Sequence, residues 1–102
     1  MKWVWTWGGQ SFGWIADNCL WTHYGKHVGL LQGEEIYGPD GRYLGEVLND
    51  DRLITNMGKK SWRGGSFAPY ANSTGYVPYT NYVGYVMYAG HEDFPHPDVF
   101  KR

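Results

Sequence analysis

A chain of 102 residues, 42% of them hydrophobic, suffices for one domain around one packed core. Nine Lys and Arg against ten Asp and Glu leave a net charge of −1, which excludes a global field drawing the protein to nucleic acid or to an anionic membrane. Any binding that depends on charge must be local, and the single cysteine, Cys19, excludes an internal disulfide.

Cys19 lacks a Cys-x-x-Cys partner or a flanking histidine, so it reads as a small buried hydrophobe of a reducing compartment. The apolar stretch before Gly8 is too short for a signal-peptide core, and no run of about 18 apolar residues is present. A cytoplasmic location is expected. Fifteen glycines and 19% aromatic residues, with no apolar period of 3.6 held over three turns, predict an all-β fold of short strands and tight turns.

In chain order, the first element is a hairpin in VWTWGGQSFGWI, with Val4 and Trp5 on one arm, a turn ending at Gly9, and Phe12 and Gly13 on the other. Sixteen residues on, LWTHYGKHVGLL repeats it with Leu20, Trp21, Gly25, Val28 and Gly29. After another sixteen, IYGPDGRYLGEV gives Ile36, Tyr37, Gly41, Leu44 and Gly45. A fourth copy starts at Leu53 and Ile54 with Gly58 in its turn, but Ser61 and Trp62 break its second arm. NYVGYV, 81–86, is expected to supply the missing arm as a closing strand. Repeats at fixed spacing imply copies of one unit closed by its neighbours. The reading is therefore one domain, with hairpins over 3–64, an insertion at 65–75, Tyr-rich closing strands at 76–89 and a tail at 90–102.

Turns are expected at 7–9, 23–25, 39–41 and 56–58, each ending on a glycine at positive φ. Parity then places Val4 opposite Phe12, Leu20 opposite Val28 and Ile36 opposite Leu44 on an apolar core face. Trp5 with Ser11, Trp21 with His27 and Tyr37 with Tyr43 fall on the other, mixed face. The second glycine of each unit, at 13, 29, 45 and 84, marks a sharp bend or a close approach.

With its Gly-Lys-His-Val-Gly at 25–29 and Gly-Arg-Tyr-Leu-Gly at 41–45, the chain resembles the four-fold beta-flower proteins, whose hairpins repeat G-[KR]-x-φ-G around an IYGPDGRYLGE-like signature. The resemblance covers residues 1 to about 65. It implies a shallow, pseudo-fourfold barrel of short antiparallel hairpins with an apolar centre, a shape likened to tubby-type lipid-binding domains. It implies no activity and no catalytic residues.

One residue past three turn glycines stand Lys26, Arg42 and Lys59, with Gln10 at the fourth position and Thr22 and Thr55 across the turn. If the hairpins share an axis, this set is a candidate ring for a phosphate or carboxylate. Trp5, Trp21 and Tyr37 recur at one position and are candidate stacking surfaces for a flat ligand, with a subunit interface as the competing use. His91 and His96 lie among acidic residues, but Pro95 forbids the helix of a His-Glu-x-x-His zinc site, and no metal or cofactor is expected. The chain is thus expected to be a non-enzymatic module holding a small anionic ligand of nucleotide or lipid-headgroup type. Two alternatives remain open: an interaction domain forming a homo-oligomer through its Tyr-rich strands, and a hydrolase assembled around His23, His27 and nearby carboxylates.

Overall fold

The computed structural model describes residues 1–101. It is all-β, as the composition predicts. Seven strands follow one another as a meander: β1 (Lys2–Thr6), β2 (Ser11–Ala16), β3 (Cys19–Thr22), β4 (His27–Gln32), β5 (Glu35–Tyr37), β6 (Tyr43–Leu48) and β7 (Arg52–Asn56). Each pairs antiparallel with the next, and β1 pairs with β7 to close the barrel. An odd meander has its first and last strands pointing the same way, so the closing pair, Trp5 with Arg52 and Thr6 with Leu53, is parallel. An eighth strand, β8 (His91–Asp93), adds to β7.

At one end of the barrel the chain turns through Trp7–Gly9, His23–Gly25 and Pro39–Gly41, and Gly9, Gly25 and Gly41 have φ of +95°, +90° and +83°. The three loops share one hydrogen-bond pattern: Thr6 N–H to the Gln10 carbonyl, Thr22 to Lys26 and Gly38 to Arg42, each crossed by a bond from the turn glycine's N–H. The expected fourth turn is instead a 3-10 turn, Met57–Lys59, capped by the Asn56 side chain. Tight loops join the strands at the far end, with Asp17–Asn18 and Asn49–Asp50 at positive φ.

Val4, Phe12, Leu20, Val28, Ile36 and Leu53 fill the interior together with Phe94, and the apolar face predicted by parity is buried except for the half-buried Leu44. The pairings on that face differ from expectation. Trp5–Ser11, Trp21–His27 and Tyr37–Tyr43 face each other as predicted, but a bulge follows each, so Val4, Leu20 and Ile36 oppose Gly13, Gly29 and Gly45. The extra residue is Phe12, Val28 or Leu44, and the bulge sharpens the local bend that a small barrel requires. A methyl at Gly13 would collide with the Trp21 carbonyl, so the glycine there serves close approach.

Closing strands at 76–89 are not formed, which corrects the expectation for 81–86. Residues 64–88 contain no strand, and they run outside the barrel as a strap. Its N–H groups meet the loops at intervals of nine: Gly64 to Gly41, Ser73 to Gly25 and Tyr82 to Gly9. A second set, Phe67 to Pro39, Tyr76 to His23 and Tyr85 to Trp7, has the same interval. Strand pairing would place alternate side chains on opposite faces, whereas this segment brings every third residue to the barrel. That period matches the three-residue turn of a polyproline II helix.

The strap makes the turn glycines irreplaceable to different degrees. A methyl at Gly9 would meet the Tyr82 carbonyl, while one at Gly33 (φ +64°) would meet nothing within 4 Å. Gly33→Ala is expected to cost about 1–2 kcal/mol from left-handed strain alone, and Gly9→Ala roughly twice that or more. Urea denaturation of the two variants checks the order.

Candidate functional site

Because strand side chains alternate, the neighbours of the core residues face outward. On β1 to β3 these are Trp3, Trp5, Trp14 and Trp21, and Trp7 follows in the first loop. The strap covers them. Tyr79 stacks on Trp3 at 4.5 Å between ring centroids, Tyr82 stacks on Trp5 at 4.0 Å, and Tyr85 and Tyr88 flank Trp7 at 4.9 and 5.1 Å. Tyr76 stands edge-on to Trp14 at 5.2 Å, and Tyr70 lies parallel to Trp21 at 6.4 Å. The indole N–H groups of Trp5 and Trp7 donate to the carbonyls of Thr80 and Val86. Arg52, buried on β7, donates to the carbonyls of Trp7 and Val83 and lies 4.2 Å from the Tyr85 ring centroid. Trp5, one of the candidate stacking residues, is thereby buried; Tyr37 is buried against Tyr43 and Gly64, and Trp21 is half-buried.

The charged candidates divide between two places. Lys26 and Arg42 line one cleft of about 460 Å³, walled by His27, Pro39, Pro69 and Phe100. Arg42 also borders a second cleft of about 300 Å³, which contains Lys60 and Arg63. Lys59 lines neither. The 3-10 turn carries it to the outer face, where its ammonium lies 2.8 Å from Glu35 and 3.1 Å from Glu46 and over the Trp62 ring. Lys59 holds the Glu35 carboxyl below its ordinary range, and hydrogen bonding to Glu35 raises the lysine. The next residue, Lys60, reaches Glu92 at 2.6 Å. Lys60 and Arg63 are the cations the sequence reading missed, since only a regular fourth hairpin turn makes Lys59 equivalent to Arg42.

The remaining polar candidates serve the loops. Thr22 Oγ1 accepts from the Lys26 N–H, and Thr55 Oγ1 donates to the Leu44 carbonyl. Gln10 bonds the Ser11 carbonyl through its amide, and its Oε1 accepts from Asn81 of the strap. The space between the loops is taken by the C-terminal segment, where Phe94 joins the core, Pro97 is fully buried and Phe100 packs on Phe12.

The histidines are also committed. His27 is buried between Trp21 and Tyr70, its Nδ1 accepts from the Tyr70 N–H, and its Nε2 must then donate to the Gly29 carbonyl. Neither nitrogen is free to act as a base, so the hydrolase alternative loses one of its two histidines. His23 packs on Tyr24, and His96 caps the 3-10 turn Pro97–Phe100. Cys19 is buried, and desolvation with the nearby Asp17 charge raises its thiol. Among the described residues no helix is long and apolar enough to cross a membrane.

Comparison of the chain with protein-family models, curated proteins and solved structures gives no match.

Burial lowers the His27 pKa, so the unfolded chain takes up this proton more readily than the folded one. Stability is then retained above the unfolded value and falls as the pH drops below about 6.5 toward the folded pKa. Protonation at Nδ1 also sets two donors against each other at Tyr70 N–H. Chemical denaturation across this window is expected to show the loss, and His27→Phe to flatten the slope.

Proposed function

We infer that the chain is a non-enzymatic binding module for a small anion with an apolar or flat body, held where Arg42 stands between its two clefts. The reading rests on one observation: Lys26 and Arg42, which occupy equivalent places in successive hairpins, line the same largely apolar cleft. Across both clefts Lys26, Arg42, Lys60 and Arg63 face Asp40 and Glu92. Glu92 is already paired with Lys60, and Asp40 is 3.9 Å from Arg42 in an exposed, weak contact. Lys26 forms no ion pair among the described residues. The guanidinium supplies a fork for phosphate or carboxylate oxygens, the lysine a point charge, and Pro39, Pro69 and Phe100 a surface for the ligand's body.

The second reading, assembly into a homo-oligomer, draws on the outward side of the strap, where Val77, Val83 and Val86 are almost fully exposed. Its tyrosines face the chain's own tryptophans on one side and stay about half exposed, so they flank the valines as contact residues. Light scattering separates the readings, since a monomer across the micromolar range removes the second.

For the first, phenyl phosphate at millimolar concentration is expected to raise the melting temperature by several degrees beyond chloride at matched ionic strength, with inorganic phosphate less effective. Lys26→Gln with Arg42→Gln should abolish the difference. Identical melting curves in phenyl phosphate and chloride would overturn the proposal.

A further inference from the structure

From Phe67 onward the strap carries an aromatic residue at every third position, Tyr70, Tyr76, Tyr79, Tyr82, Tyr85 and Tyr88, except at Ser73. Ser73 is held at Gly25 as Tyr82 is held at Gly9 and Gly64 at Gly41, so the three positions are equivalent along the barrel. Their outward partners are equivalent too. Tyr82 covers Trp5, Gly64 abuts the Tyr37 ring, and Ser73 lines the same cleft as Trp21. A hydroxymethyl in place of a phenol leaves Trp21 without the strap ring that Trp5 has in Tyr82, although His27, Tyr70 and Trp14 lie parallel to it on other sides. The volume so vacated forms part of a cleft of about 470 Å³.

Trp14, Trp21, Tyr70 and Tyr76 line this cleft, with Asp17 and Ser73. The planes of Trp14 and Trp21 agree within 10° at 6.1 Å between centroids, and those of Trp21 and Tyr70 within 3°. Tyr76 stands at 89° to Trp14. Trp14, only 3% exposed, is the bottom of the cleft, the Trp21 and Tyr70 rings continue it, and Tyr76 is a wall. None of these residues belongs to the Arg42 clefts.

Two opposite charges stand at the edge of the site, the Asp17 carboxylate beside the rings and the Met1 amino group at the rim. Asp17 is exposed in the β2–β3 turn and forms no ion pair among the described residues. The Met1 amino group, on a residue that is 68% exposed at the rim, is likewise unpaired among them. Ring faces carry negative potential, so aromatic walls and a carboxylate favour a cation and disfavour an anion. The same seam already holds a cation further along, where Arg52 lies against Tyr85 and Tyr82 at 4.2 and 5.5 Å. A primary ammonium needs several acceptors, but the Ser73 hydroxyl is committed to the Thr74 carbonyl. A methylated ammonium needs none, because it spreads its charge over an apolar surface that fits against rings.

We propose that the cleft over Ser73 is a binding site for the quaternary ammonium group of a small molecule. Choline is the probe, and 3,3-dimethylbutan-1-ol, which has carbon in place of the charged nitrogen, is its neutral control. Titration followed by tryptophan fluorescence and calorimetry is expected to show saturable choline binding at least tenfold tighter than the control, the difference being the cation–π and carboxylate attraction. Asp17→Asn, an exposed change, should weaken choline several-fold. Ser73→Tyr should restore the interrupted stack and abolish binding without lowering the melting temperature. If that variant does not fold, Tyr70→Leu tests the same cage and should weaken choline at least fivefold. Equal affinity for choline and the neutral alcohol, no saturable choline signal, or unchanged binding in the folded variants would overturn the proposal.

Discussion

The structure depends on the seam between the tyrosines of the strap and the tryptophans of β1 to β3. A seven-stranded barrel this narrow has room inside for Val, Leu, Ile and Phe, but the tryptophans of the alternating pattern must point outward. Left uncovered, they would expose a large aromatic surface to water. The strap removes part of that surface from solvent and fixes its own course by the same contacts, each ring pair adding about 0.5–1.5 kcal/mol beyond burial. The loops then provide the spacing, because the strap can approach only where Gly9, Gly25 and Gly41 carry no side chain. The barrel thus has two apolar layers, an aliphatic one inside the sheet and an aromatic one outside it, and a single chain supplies both.

Much of the inner layer was legible because alternation and turn chemistry are local. Val4, Leu20 and Ile36 and the three glycine turns follow from a period of two and from the residues that tolerate positive φ. The bulges were not legible, since a bulge leaves the apolar residue in place and changes only its partner. The outer layer was missed for a different reason. The spacing of three between Tyr76, Tyr79, Tyr82, Tyr85 and Tyr88 is explicit in the sequence, but a strand template registers it as imperfect alternation. A segment rich in tyrosine and valine, with good β propensity, is held out of the sheet because its third-residue contacts with tryptophan take the place of ladder bonds.

The charged site was half legible by the same logic. Lys26 and Arg42 follow turn glycines in hairpins that keep the same loop hydrogen bonds, so equivalence in sequence carries over into space. Lys59 follows a glycine too, but Asn56 caps a 3-10 turn there and rotates the next two side chains, sending Lys59 to Glu35 and Glu46 and Lys60 toward Arg42's second cleft. One change in backbone type thus replaces one cation by its neighbour.

The irregularities share a cause in the closure of the barrel. A fourth complete hairpin would give an eighth barrel strand, antiparallel closure and a fourth equivalent loop. With seven strands, β1 meets β7 in parallel, and the fourth loop is free to become the short 3-10 turn that leads into the strap. The strap runs back over the hairpins in reverse order, third, second, first, so its composition can vary at each loop without disturbing the core beneath. Gly64, Ser73 and Tyr82 are three different solutions at equivalent places, close fit, open cleft and stacked ring. A regular scaffold specifies the fold, and its departures from regularity, the missing arm and the missing ring, are where the clefts that Lys60 and Ser73 line stand open.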